Sequence, residues 1–317
     1  MTAPAAEVPA EAINRRSFLR RTTGQIASAG LATLGYAYLW EPHWIQVTRR
    51  GLEFENLPEN LAGRVLVQIS DLHVGRNVDY GYISHAVARV SEFQPDMLVI
   101  TGDFMTCQGS EQIDNLYQVL KKLPQVRFGC FATLGNHDYT ESHNSSRVAE
   151  ELCERLLNLD IQVLRNSVTQ VEGLQVAGID DYYAGRTDVP ATIKLLDPTR
   201  PSLALCHNPD IVDLAGWEGF QGWILAGHTH GGQCKAPFLN PPILPVRNKL
   251  YCAGEIELTG NPTDWLSLRA AYTFVDAKFT RFFDDTTEEI FDTDGRSAFL
   301  SNDQRNPLDV DGPDGGD

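Results

Sequence analysis

Residues 64–73 (RVLVQISDLH) join a short apolar run to two polar side chains, Asp71 and His73. The run Arg64–Ser70 is rich in valine and other aliphatic residues, which predicts a buried strand. Residues 79–93 follow with the apolar spacing of a helix, and residues 96–101 (DMLVIT) have the composition of a second strand. A strand, a helix and another strand in this order are typical of a parallel sheet with helices packed against it.

The alternation of strands and helices continues along the next 130 or so residues. Helical periodicity appears at 111–123 and again at 147–159, and the stretch between them contains a strand-like run at 126–134. A short helix is expected at 209–215. The remaining strand-like runs are at 161–164, 168–171, 174–179, 202–206 and 222–226. We therefore predict an α/β protein whose sheets are packed between helical layers.

Polar side chains cluster directly after the predicted strands. They are Asp71 and His73, Asp103, the group Asn136, His137 and Asp138, then His207, and finally His228 and His230. In open α/β sheets, ligands bind beside the carboxyl ends of the strands. We therefore expect these five loops to meet at one rim.

Seven of these residues are suitable metal ligands: Asp71, His73, Asp103, Asn136, His207, His228 and His230. Carboxylate, amide and imidazole groups together suit Zn²⁺, Mn²⁺ or Fe and suit Ca²⁺ poorly. Seven ligands exceed what one tetrahedral ion needs, which indicates two divalent ions that share a carboxylate. The spacings Asp71-x-His73 and His228-x-His230 would place each pair on one side of a strand-like backbone.

These motifs, in this order, resemble the calcineurin-like metallophosphoesterase family over about residues 62–255. The resemblance implies a four-layer α/β/β/α sandwich and hydrolysis by in-line attack of a hydroxide that bridges two metals. It also implies a role for His137 in protonating the leaving oxygen, with Asp138 as a candidate partner of that imidazole. The implied ligands are Asp71, His73 and His230 for the first metal, Asn136, His207 and His228 for the second, and Asp103 as the bridge.

The sequences Ile179-Asp180-Asp181 and GHTHGGQ (227–233) further resemble the exported, YkuE-like phosphodiesterase branch of that family. Some relatives of that branch cleave UDP-2,3-diacylglucosamine. The expected substrate is therefore a phosphodiester or pyrophosphate, either lipid-linked or nucleotide-linked. Two alternatives are a phosphomonoesterase and a metal-free binding scaffold on the same fold. From the residues alone, Asp180 and Asp181 suit turn capping as well as substrate contact.

The first forty residues have the features of an export signal. Arg15 and Arg16 precede Phe18-Leu19, and the stretch Gly24–Trp40 carries no charge. Residues 1–40 are therefore predicted to be a twin-arginine signal peptide or an N-terminal anchor, with a basic surface helix as the alternative. This predicts contact with the twin-arginine export machinery and a location in the periplasm or at the outer face of the cytoplasmic membrane, either soluble or membrane-associated through the N-terminus.

The net charge and the C-terminal segment give the last of the predictions from the sequence. The 317 residues carry a formal charge of −16, which argues against nucleic-acid binding but leaves a phosphate substrate at a metal site open. The catalytic domain is predicted to span 41–260 and an atypical C-terminal segment 261–317, disordered from about residue 300. Partial alternation at 265–282 resembles strands. It suits a lineage-specific last hairpin, an altered gene end or an appended segment.

Overall fold

The structure, a computed structural model, describes residues 14–39, 45, 47–75, 78–106, 111–139, 146–232, 244–259, 267–272 and 278–281. The chain divides into two units, Met1–Ile45 and Gln46–Asp317. The first unit contains helix α1 (Arg15–Leu39), which begins at the paired arginines. Among the described residues, we find no helix with the length and apolar character that crossing a membrane requires.

The first sheet of the second unit has five strands in the order β11-β1-β2-β3-β4. Strands β1 to β4 are parallel, and β11 runs antiparallel to β1. These strands are β1 (Val65–Ile69), β2 (Met97–Thr101), β3 (Cys130–Thr133), β4 (Ile161–Val163) and β11 (Lys278–Arg281). Helices α2 (Tyr80–Ala88), α3 (Glu111–Leu120) and α4 (Ser146–Leu157) connect the parallel strands. The strand predicted at 126–134 begins only at Cys130, because Gly129 directly before it takes a φ of 92°, which is not an extended conformation.

The second sheet has six strands in the order β5-β6-β7-β8-β10-β9. Strands β6, β7, β8 and β10 are parallel, whereas β5 and β9 run antiparallel to their neighbours. The strands are β5 (Ser167–Val171), β6 (Leu174–Gly178), β7 (Ser202–Leu205), β8 (Gly222–Ala226), β9 (Gly254–Thr259) and β10 (Ser267–Tyr272). Helix α5 (Val189–Ile193) was not predicted, and the helix expected at 209–215 is a 3₁₀ helix, Pro209–Asp213.

Three apolar clusters hold these layers together. One face of the first sheet, with Val67 and Leu98, packs against α2, α3 and α4. Its other face, with Leu66, meets the inner face of the second sheet around Trp223. The outer face of the second sheet, with Ile224, is covered by α5, the 3₁₀ helix and nearby loops. The protein is therefore an α/β fold in which two largely parallel sheets lie between helical layers, as predicted.

Buried polar contacts join the two sheets near the carboxyl ends of their strands. Gln68 Nε2 of β1 donates to Ala226 O of β8 at 3.0 Å, and Thr133 Oγ1 of β3 donates to Ile179 O after β6 at 2.7 Å. Buried hydrogen bonds of this kind are directional and costly to leave unmade. They hold the loops that follow both sets of strands at one common rim.

The C-terminal strands belong to the two sheets. Strand β10 lies between β8 and β9, with Ala270 opposite Ile224, and β11 covers the free edge of β1. The boundary predicted at residue 260 falls between β9 and β10, two strands that pair with each other. The acidic tail predicted from about residue 300 lies outside the described residues.

Candidate metal centre

The predicted ligands lie in loops directly after the strands, but their backbone is not strand-like. Asp71 and His73 have φ values of 54° and 45°, and His228 and His230 have φ values of 71° and 48°. These angles are in the left-handed region, which non-glycine residues rarely occupy and which is found at functional sites. The prediction of an extended Asp-x-His and His-x-His backbone is therefore wrong. The loops turn sharply at these residues instead, and the turns direct the side chains toward one another.

Two glycines allow these loops to approach the carboxylates. A Cβ added at Gly135 would lie 2.2 Å from Asp103 Oδ1, and one added at Gly227 would lie 2.6 Å from Asp71 Oδ2. No side chain fits at either distance. The backbone therefore reaches the carboxylates only because residues 135 and 227 are glycine.

The first candidate ligand group is Asp71, His73 and His230. His73 Nε2 lies 3.1 Å from His230 Nε2, and Asp71 Oδ1 lies 3.4 Å from His230 Nε2. The backbone N–H of His228 donates to Asp71 Oδ1 at 3.0 Å, which orients that carboxylate. Asp71 is fully buried, while His73 and His230 are partly exposed.

The second group is Asp103, His207 and His228, and all three are buried. Asp103 Oδ2 lies 3.1 Å from His207 Nε2 and also 3.4 Å from His73 Nε2 of the first group. One carboxylate oxygen therefore lies between the two groups. This is the position that a bridging ligand of a two-metal site would occupy.

Carbonyl oxygens determine which imidazole nitrogen of the second group faces the centre. His207 Nδ1 lies 2.8 Å from Thr101 O, and His228 Nε2 lies 2.8 Å from Pro245 O. Because a carbonyl only accepts, each of these nitrogens carries the hydrogen. The other two nitrogens, His207 Nε2 and His228 Nδ1, then face each other with lone pairs at 3.1 Å. Two facing lone pairs beside a carboxylate oxygen need a positive charge, so the donor set fits divalent metal ions.

The raised pKa of His207 shows the same preference for a positive charge at this position. Burial lowers the pKa of His207, but Asp103 opposes this by charge and hydrogen bonding, and the net result is a pKa raised to about 10. The pKa of His228 is lowered to about 4 by burial and by the neighbouring His207. In the metal-free protein, one proton on His207 therefore takes the place of a cation between the two rings.

The 3₁₀ helix Asn136–Tyr139 carries the predicted catalytic residues. Asn136 is buried in it, and the backbone N–H of His137 donates to Asp103 Oδ1 at 2.9 Å. The His137 ring lies 5.0 Å from the ring of His73 in an edge-on arrangement. His73, Asp103 and His137 also form a third group of possible ligand atoms, so the structure places His137 beside the two ligand groups, and Asn136 is its neighbour in the same helix.

Asp138 is fully buried and joins two loops of the site. Its Oδ2 accepts from Gly135 N at 2.8 Å, and its Oδ1 accepts from Met105 N at 3.2 Å. Burial raises the pKa of this carboxyl group, and the charge of Asp103 adds to the effect. Asp138 thus fixes the loop of Asp103 against the loop of Asn136 and His137.

Sequence reasoning missed a polar network behind this helix. The hydroxyl of Tyr139 donates to Asp180 Oδ1, and Arg165 Nε donates to Asp180 Oδ2 at 2.8 Å. Asp181 Oδ1 accepts from Ala184 N at 2.7 Å, so Asp181 has the turn-capping role that was one of its two predicted alternatives. The position of Tyr139 next to the NHD motif could have drawn attention to it, whereas no local pattern points to Arg165.

Comparison with known proteins agrees with the geometry. Residues 65–232 match the calcineurin-like phosphoesterase family. The chain is 32% identical to phosphodiesterase YaeI of Escherichia coli, over 76% of this chain and 87% of that protein. It is 29% identical to the uncharacterized metallophosphoesterase YkuE of Bacillus subtilis, over 76% of this chain and 85% of that protein.

A third relative has a named substrate. The chain is 30% identical to the UDP-2,3-diacylglucosamine pyrophosphatase LpxG of Chlamydia muridarum, over 67% of this chain and 77% of that protein. The family match covers more than half of the chain and includes all the loops that carry the predicted ligands. The chain therefore belongs to the calcineurin-like metallophosphoesterase family and is a hydrolase of phosphoester bonds.

Proposed function

We propose that this protein is an exported phosphodiesterase with a two-metal centre, which cleaves a phosphodiester or pyrophosphate bond of a substrate at the cell envelope. The observation that carries the proposal is the position of Asp103. One oxygen of this side chain lies 3.1 Å from His207 and 3.4 Å from His73, between two separate ligand groups. A single-metal site would not need a carboxylate in that position.

The residues fit two divalent ions of Mn, Zn or Fe. Asp71, His73 and His230 would hold one ion, and Asn136, His207 and His228 would hold the other, with Asp103 shared. Two such ions, when bound, would activate a water molecule and neutralise charge on the phosphate oxygens. Burial of Asp71, Asp103 and His207 keeps bulk water from competing for these positions.

Two further residues, His137 and Asp138, would contribute to protonation of the leaving group. His137 is partly exposed, and its backbone is fixed on Asp103, so its imidazole can reach a phosphate held at the centre. We assign it the donation of a proton to the leaving oxygen. Asp138 acts through the backbone that it holds, because both of its oxygens accept from main-chain N–H groups. It is therefore a positioning residue in this proposal.

The substrate class and the location rest on the relatives and the N-terminus. One relative is named a phosphodiesterase and another a UDP-2,3-diacylglucosamine pyrophosphatase. The paired Arg15-Arg16 followed by an uncharged stretch supports export. An exported enzyme would meet lipid-linked or nucleotide-linked phosphates at the envelope. Export would be tested by cell fractionation after replacing both arginines with lysine, which should retain the protein in the cytoplasm.

The activity is tested with bis-p-nitrophenyl phosphate in the presence of Mn²⁺ or Zn²⁺. We expect metal-dependent turnover that falls at least 100-fold in Asp103→Asn and in His228→Ala. His85→Ala is the matched control, because His85 lies exposed on α2 and outside the ligand groups. A faster rate with the monoester p-nitrophenyl phosphate would favour a phosphomonoesterase. Turnover that both site variants retain would contradict the proposal.

A further inference from the structure

Residues 244–253 contact the loop of His228 through two main-chain carbonyl groups. His228 Nε2 donates to Pro245 O at 2.8 Å, and Thr229 Oγ1 donates to Cys252 O at 2.7 Å. We call residues 244–253 the carbonyl segment. The orientation of the His228 ring therefore depends on where this segment lies as well as on the loop of His228 itself.

A buried carboxylate, Asp210, fixes the backbone of the carbonyl segment close to Pro245. Asp210 is 3% exposed, and its Oδ2 accepts from Arg247 N at 2.8 Å while its Oδ1 accepts from Asn248 N at 3.1 Å. Hydrogen bonds from backbone N–H groups to a carboxylate are stronger than those between neutral groups. Because Arg247 is two residues after Pro245, these bonds restrict the carbonyl group that His228 contacts.

Asp210 also belongs to the loop of the other imidazole in the second ligand group. It lies three residues after His207, in the 3₁₀ helix Pro209–Asp213. Asn208 Oδ1 accepts from Asp210 N at 2.9 Å, which fixes the start of that helix. The same loop therefore carries His207 directly and holds, through the Asp210 carboxylate, the segment that orients His228.

The backbone of the His228 loop has a separate support. Asp71 accepts from His228 N, at 3.0 Å for Oδ1 and 3.1 Å for Oδ2. His230 lies beside Asp71 and His73 in the first ligand group. Loss of the Asp210 carboxylate should therefore change the orientation of the His228 ring and leave the first group in place.

We propose that Asp210 is a positioning residue for the second metal ion, because it holds the carbonyl segment in the position that orients His228. The inference deepens the proposed function and rests on it. Removing a partner that orients a metal-binding imidazole typically costs about 10- to 100-fold in metal affinity. We expect Asp210→Ala to weaken binding of the second ion about tenfold or more and to change the affinity for the first ion less than about twofold.

The test is calorimetric titration of the metal-free full chain with Mn²⁺ or Zn²⁺. Asp210→Asn keeps the shape of the side chain but only one oxygen that accepts, so it should show a smaller loss at the same ion, and it serves as the test if Asp210→Ala does not fold. Asp213→Ala is the matched control. Asp213 lies in the same 3₁₀ helix and accepts from two side chains of the carbonyl segment, Asn248 Nδ2 and the Tyr251 hydroxyl. This control should bind both ions as the wild type does.

A double variant separates positioning from general damage to the site. In Asp210→Ala/His228→Ala the ring that Asp210 positions is absent, so the remaining ion should bind as it does in His228→Ala. A further loss of affinity in the double variant would contradict the inference. Unchanged affinity for both ions in the two Asp210 variants would overturn it, and so would an equal loss in Asp213→Ala.

The wild type reports on the proposed function separately. Two bound ions and turnover of bis-p-nitrophenyl phosphate by the wild type, with unchanged metal binding in the Asp210 variants, would overturn the inference alone. Fewer than two ions in the wild type would overturn both the inference and the proposed two-metal centre.

Discussion

At the scale of single residues, the site is organised by what each polar atom already contacts. Thr101 O and Pro245 O each occupy one nitrogen of a histidine, and this leaves the other nitrogen to face the centre. That the predicted ligand side chains would lie in neighbouring loops was accessible from the sequence, because each follows a strand. The tautomers of the histidines could not be predicted from the sequence, since they depend on carbonyl groups that lie far away along the chain. Pro245, for example, is 17 residues from His228.

Asp181 gives a prediction about pH at this scale. It is 1% exposed, and its Oδ2 has no hydrogen-bond partner in the part of the chain that the structure describes. Burial raises its pKa to about 6, although His207 opposes the shift. Because the folded pKa lies above the unfolded one, this group favours folding below about pH 4, and that contribution is lost as the pH rises through about 6.

The measurement is urea unfolding of metal-free protein in EDTA between pH 4 and pH 7. Asp181→Asn removes this titration. As the pH rises from 4 to 7, the free energy of unfolding of the variant should therefore increase by on the order of 2 kcal/mol relative to that of the wild type. The decisive result is that the wild type loses stability relative to the variant as the pH rises. Parallel stability profiles of the two proteins would show that the carboxyl group does not titrate in this window.

At the scale of elements, the 3₁₀ helix Asn136–Tyr139 is the part that positions Asn136 and His137. Its first end is held by Asp138 and its last residue, Tyr139, is held by Asp180. Most strands and helices were predicted within a few residues, because apolar periodicity depends on local sequence. The left-handed loops were not, since their conformation is imposed by contacts between loops, such as that of Gly227 with Asp71.

The substitution Tyr139→Phe tests whether this 3₁₀ helix positions His137. The change removes the hydroxyl donor to Asp180 and leaves the ring, so we expect a loss of about 1–2 kcal/mol in stability. We also expect kcat to fall several-fold with little change in KM, because the helix would hold His137 less firmly. Tyr80→Phe, at an exposed position, serves as the control. An unchanged kcat together with lower stability would restrict Tyr139 to a structural role.

At the scale of the whole unit Gln46–Asp317, one rim is built from both sheets. Asp71, His73, Asp103 and Asn136 come from loops of the first sheet, and His207, His228 and His230 come from loops of the second. The family and the α/β class were predictable from the order of the motifs. The pairing of β10 with β8 and of β11 with β1 was not, because each is a long-range contact that local alternation does not specify.

Truncation tests the contribution of these C-terminal strands. A chain ending at Thr259 lacks β10 and β11, which exposes the edges of β8 and β1. We expect a clear fall in the melting temperature and a tendency to aggregate. A chain ending at Arg281 keeps both strands and should behave like the full chain. Equal stability of the two truncated proteins would mean that β10 and β11 contribute little to the fold.

The central claim is that one oxygen of Asp103 serves two metal ions. Elemental analysis of protein loaded with Mn²⁺ or Zn²⁺ and then freed of excess metal tests it most directly. The account predicts about two ions per chain in the wild type and in His85→Ala, and fewer than one in Asp103→Asn, with phosphodiester hydrolysis lost in parallel. Two ions per chain in Asp103→Asn, or a single ion in a fully active wild type, would contradict it.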